Sequence, residues 1–65
     1  MQKVKITVQV TKGMTITQEK LETQVDNDTL RELGYSNKPE LEKAWCQTFF
    51  PMADSIRITH WEKIN

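Results

Sequence analysis

The two ends of this chain alternate between apolar and polar side chains. Near the start, Val4, Ile6, Val8 and Val10 take one parity, and Lys3, Lys5, Thr7, Gln9 and Thr11 take the other. Near the end, Ile56 and Ile58 alternate with Ser55, Arg57 and Thr59. Period-two patterning rich in β-branched residues belongs to a half-buried strand. A strand at each end with helical sequence between them points to one closed α+β unit. The expected architecture is a small two- or three-stranded sheet built on the N- and C-terminal strands, with two to three helices packed on one face. Spacing alone leaves the terminal strands free to run parallel or antiparallel.

Between the strands, punctuation divides the chain. Lys12-Gly13 ends the first strand, because glycine reaches the positive φ that turns require. Residues 14–17 fit a short returning strand, with Met14 and Ile16 alternating with threonines. They also fit a helix lead-in with Thr15 as N-cap and Gln18 at N3. A short second strand or extended lead-in is favoured, followed by a helix over residues 18–25, where Leu21 and Val25 share a face. Asp26-Asn27-Asp28 breaks it. A short helical turn capped by Asp28 or Thr29 then carries Leu30 and Leu33 and ends at Gly34. Asn37 as N-cap, Pro39 in the first turn and Glu40 at N3 mark the start of a longer helix over residues 38–49. Its buried stripe reads Leu41, Ala44, Trp45, Thr48 and Phe49, and Pro51 stops it. The last strand spans residues 55–61. The core predicted from these faces joins the inward strand residues to Leu21, Val25, Leu30, Leu33, Leu41, Trp45 and Phe49.

Sixty-five residues make a single domain, 1–65, with no room for a second core. Apolar burial in so short a chain roughly cancels conformational entropy, so a staple or a partner is expected. Cys46 is the one cysteine, and an intrachain disulfide is therefore ruled out. With no leader-like run at Met1 and no apolar stretch near the roughly 20 residues of a bilayer span, a cytoplasmic protein is expected. Formal net charge is zero, which gives bulk electrostatics no case for nucleic acid or acidic membranes. Locally the charges separate. Residues 1–13 carry three lysines and no acid, and residues 18–45 carry seven acids against four bases.

Few side chains suit catalysis. Cys46 and His60 are the only nucleophile and base pair, but Cys46 flanks the helix stripe and His60 continues the Ile56–Ile58 face. Both read as packing positions, because a reactive thiol needs an adjacent imidazole and an electropositive setting. One Cys and one His do not make a zinc site. Asp26 and Asp28 open like a calcium loop, but Arg31 and Asn37 stand where its glycine and final glutamate belong. The two glycines are isolated, so no phosphate loop is present. The expectation is no enzyme, no metal and no cofactor.

The outward face of the sheet remains. If Ile56 and Ile58 point inward, Lys3, Lys5, Arg57, Thr59 and Trp61 form a basic-polar surface with one aromatic. Trp and Arg are the types most enriched at protein-binding hot spots. The favoured function is a small non-enzymatic protein-binding module (an inhibitor, adaptor or regulator) that self-associates through a sheet edge or face as a homo-oligomer. One alternative is a weak single-stranded nucleic-acid binder using the same face. Another is an acidic helical surface of Glu19, Glu22, Asp26, Asp28, Glu32, Glu40 and Glu42 that occupies a basic groove of a partner. In general look the chain resembles the small accessory proteins that phages and other mobile elements encode, though no motif carries that likeness.

Overall fold

The computed structural model describes residues 1–64. Five elements follow one another: β1 (Gln2–Lys12), β2 (Thr15–Val25), α1 (Asn27–Leu33), α2 (Pro39–Phe49) and β3 (Ser55–Lys63). The strands form one antiparallel sheet in the order β2-β1-β3, with the N-terminal strand in the centre. The described residues are thus α+β, with three strands and two helices.

The expected helix over residues 18–25 does not form. Those residues continue β2, which pairs with β1 along its whole length from Lys12↔Thr15 to Gln2↔Val25. Glu19, Lys20, Leu21, Glu22 and Gln24 have good helix propensity, but propensity is a weak prior against a continuous ladder. The reversal is a two-residue turn at Gly13-Met14. Gly13 has φ +61 and Met14 does not reach positive φ, the signature of a type II′ hairpin. The loop before β3 fastens that turn. Asp54 Oδ2 accepts the Gly13 N–H at 2.7 Å, and the Asp54 N–H donates to the Thr11 carbonyl at 2.8 Å.

Val4, Ile6, Val8 and Val10 are buried in one cluster with Val25, Leu33, Leu41, Cys46, Ile56 and Ile58. Their side of the sheet is called the Ile6 face below, and the opposite side the Lys5 face. Leu21, Leu30, Trp45, Phe50, Ala53 and Trp61 are half-buried against this cluster. Leu33 is the buried anchor of α1. Asp26 caps α1, in place of the expected Asp28 or Thr29, by accepting the Thr29 N–H at 2.8 Å. That bond to the charged carboxylate lowers the Asp26 pKa from its ordinary value.

The second helix starts at Pro39 after Lys38, whose side chain makes no cap; the expected Asn37 cap is not formed. The Lys38 ammonium instead donates to the Tyr35 carbonyl at 2.8 Å. The buried stripe of α2 is rotated from the expected one. Leu41 and Cys46 are buried, whereas Ala44 and Thr48 are exposed and Phe49 is 40% exposed. Phe49 packs edge-on against Trp45 with ring centroids 5.9 Å apart.

Candidate interaction surface

The outward face depends on an irregularity in β3. Val8 stands opposite Ile58 and Thr7 opposite His60, so Thr59 is an extra residue in the ladder, a β-bulge. Its hydroxyl donates to the Thr7 carbonyl at 3.2 Å. Beyond the bulge the alternation is inverted. Trp61 stands opposite Ile6 and His60 opposite Thr7. Residues directly opposite in a sheet share a face. Trp61 therefore lies on the Ile6 face, half-buried against the core, and His60 lies exposed on the Lys5 face. The expectation that Trp61 points outward beside Arg57, and that His60 continues the core, is corrected on both counts.

Lys3, Lys5 and Arg57 do share the Lys5 face, with Arg57 opposite Gln9. The register adds residues that strand-by-strand reading missed. Lys5 is flanked by Glu22 on β2 and Glu62 on β3, and Thr7 by Lys20 and His60. The face is a mixed-charge surface with no Trp, Tyr or Phe among its strand residues, in place of the basic one expected. The acidic row is broken as well. Glu19 and Glu22 lie on β2 with opposite parity, so they do not extend a helix surface.

The two sheet edges differ. The carbonyls of Lys3 and Thr11 accept the N–H groups of Ile64 at 3.0 Å and Asp54 at 2.8 Å. Along a strand the backbone groups of successive residues point to opposite neighbours. Odd-numbered residues of β1 therefore bond toward β3, and even-numbered ones toward β2. The register then directs the backbone groups of Ile16, Gln18, Lys20, Glu22 and Gln24 away from β1, along the free edge of β2. On β3 it directs those of Ile56, Ile58, Trp61 and Lys63 outward.

At the β3 edge α2 intervenes. Glu42 Oε2 accepts the Ile58 N–H at 2.8 Å, so a side chain occupies the position a pairing strand would need. Among the described residues no such bond reaches the outward groups of β2. Residues 15–20 of β2 are exposed on both faces. An edge like this is a template for another strand.

Compared with known proteins, the chain matches no family model, no curated protein and no solved structure.

Other candidate chemistry is dispersed. Cys46 is buried, and its thiol contacts the carbonyls of Phe50 at 3.7 Å and Ala53 at 3.8 Å. His60 is exposed on the Lys5 face, so the two are not brought together. A groove of about 440 Å³ runs between α2 and the start of β3, lined by Glu42, Cys46, Gln47 and Asp54 among others. Among the described residues no three of His, Cys, Asp and Glu converge as a metal site. No helix among them is long and apolar enough to cross a membrane.

Proposed function

We propose that this chain is a small non-enzymatic protein-binding module, an inhibitor, adaptor or regulator, that meets its partners by strand addition along β2. Both helices lie over the Ile6 face, to which Leu33, Leu41 and Cys46 contribute, and the Lys5 face stays wet. The observation that carries the reading is the contrast between the edges. Glu42 holds one outward amide of β3, while β2 offers an unoccupied ladder along an 11-residue strand. Strand addition draws affinity from main-chain hydrogen bonds and specificity from alternate side chains. Here those side chains are Gln18, Lys20, Glu22 and Gln24 on one face and Glu19, Leu21 and Thr23 on the other. The location of Trp61 counts against the nucleic-acid alternative, because it leaves His60 as the sole stacking ring among the strand residues of the Lys5 face, and Lys5 stands between two glutamates.

The test is an edge variant. Lys20→Pro removes one outward N–H and leaves the ladder to β1 intact, since proline is tolerated on the free side of an edge strand. Proteins captured from the source cell by the wild type should be lost with Lys20→Pro at unchanged secondary structure. Capture at wild-type level would place binding elsewhere on the molecule.

A further inference from the structure

We infer that β2 pairs antiparallel with β2 of a second copy, in the one register that sets Leu21 against Leu21 of the partner. This rests on the strand-addition reading above and names its occupant. A two-fold axis perpendicular to the sheet keeps each face on its own side, so opposing residues must have the same parity. The outward backbone groups are the even-numbered ones, so even must meet even, as hydrogen-bonded pairs. These two conditions leave a short series of registers, and the charges on β2 rule out three of them and favour one.

Centring the axis on Lys20 sets lysine against lysine, and centring it on Glu22 sets glutamate against glutamate. Centring it on Glu19 opposes two glutamates on the other face. Like charges directly opposite are destabilising. With Leu21 on the axis, Lys20 of each copy meets Glu22 of the other, twice by symmetry, and Gln18 meets Gln24. All four positions bond through the backbone, giving about eight inter-copy hydrogen bonds.

The neighbouring rows extend the match. Across the Lys5 face the order becomes Glu62, Lys5, Glu22 and then Lys20 of the partner, alternating in sign throughout. Across the Ile6 face, Trp61, Ile6 and Leu21 meet Leu21 of the partner. Leu21 is half-buried in the single chain, and the pairing covers the rest of it. The result is a continuous six-stranded sheet.

The experiment uses two charge variants, alone and mixed. Sedimentation velocity from about 1 µM to about 1 mM should show the wild type doubling its 7.6 kDa mass. Lys20→Glu opposes glutamates, and Glu22→Lys opposes lysines. Each should weaken self-association by about tenfold or more, because every repulsion occurs twice. Mixed in equal amounts, the two variants should form a heterodimer at least as tight as the wild type, since one copy then carries acid at both positions and its partner carries base at both. This rescue cannot come from a folding defect. A wild type that stays monomeric throughout overturns the dimer but leaves capture of other proteins by the edge to its own test. A dimer indifferent to both substitutions, or variants that do not rescue each other, overturns this register while leaving self-association standing.

Discussion

The bond between Glu42 and the Ile58 amide joins a helix side chain to a strand edge, and removing it has two separable consequences. The first is stability. Glu42→Ala deletes a charged acceptor 2.8 Å from a backbone donor in a partly buried setting. Hydrogen bonds to charged groups contribute about 1.5–3 kcal/mol, and water reaching the exposed side of this edge reduces the loss to about 1 kcal/mol. Two smaller effects nearly offset each other. Alanine gains a few tenths of a kcal/mol in helix propensity, and the first turn of α2 loses about as much through its macrodipole. For a domain of this size, about 1 kcal/mol lowers Tm by roughly 4–8 °C. Glu42→Gln keeps an acceptor oxygen and should lose about half as much. The second consequence is local. The Ile58 amide should exchange with solvent deuterium far faster in Glu42→Ala, while Ile6 and Val8 in the central strand keep their protection relative to global stability. A freed β3 edge should also raise the tendency to associate, read as a concentration-dependent melt. Unchanged Ile58 exchange together with an unchanged Tm would show that the side chain does not guard this edge, and the contrast between the two edges would fail with it.

Deleting Thr59 removes the extra residue of the bulge but leaves His60 opposite Thr7 and Trp61 opposite Ile6. It should keep Trp61 shielded from acrylamide in a Trp45→Phe background and cost about 1 kcal/mol or less; a fully quenchable Trp61 would refute the inverted parity. At Gly13, an added Cβ meets nothing within 4 Å, so the cost of Gly13→Ala comes from the backbone alone, about 1 kcal/mol at positive φ, and a synthetic chain with D-alanine there should match or exceed wild-type stability. Asp26 has a folded pKa below its unfolded one, so its contribution is complete above the unfolded value and disappears as pH falls through the folded one. Wild type should therefore lose more Tm than Asp26→Ala on acidification below the ordinary aspartate range, and parallel pH curves would remove Asp26 as the cap.

Where local sequence and tertiary structure agree, the fold could be read directly. The alternation of β1, the interruption at Asp26 and Pro39 opening α2 each act within one or two turns of chain, although Asn27 and Asp28, expected in that break, already belong to α1. The second strand was legible only in part. Residues 18–25 contain helix formers, and Leu21 with Val25 fits i, i+4 as readily as Leu21, Thr23 and Val25 fits period two. A pairing partner decides between the two periods. The usable signal was Gly13 heading a two-residue turn, followed by Thr15 and Thr17 continuing the alternation. The stripe of α2 departs from its sequence expectation because Phe50, just past the helix, packs against the core in place of Phe49, and Cys46 turns inward.

The bulge was beyond any strand-by-strand reading, and it took Trp61, the one aromatic of the expected interaction surface, to the other face. Regular alternation from Ile58 would place His60 on the covered face and leave Trp61 in water. An imidazole among aliphatic side chains needs hydrogen-bond partners, and among the described residues this core buries no polar side chain to supply one. An indole gains much more from the same position through its larger apolar area. One extra residue at Thr59 exchanges them for the loss of a single ladder pair. The choice is made by what stands across the sheet, Ile6 flanked by Leu21, and that is set by register.

The same register gives the charges of β2 their meaning. Charged residues on an edge strand ordinarily discourage pairing, because most alignments bring like signs together. Glu19, Lys20 and Glu22 do this for axes centred on any of the three. Lys20 and Glu22, two residues apart and opposite in sign, are self-complementary about the residue between them. That residue is Leu21, the apolar side chain that the single chain leaves half-covered. A pattern that only blocked the edge would gain nothing from opposite signs flanking an apolar residue, and three like charges would block it better. Specificity between alignments requires both repulsion in the wrong ones and attraction in the right one. The free edge of β2 carries both within four residues.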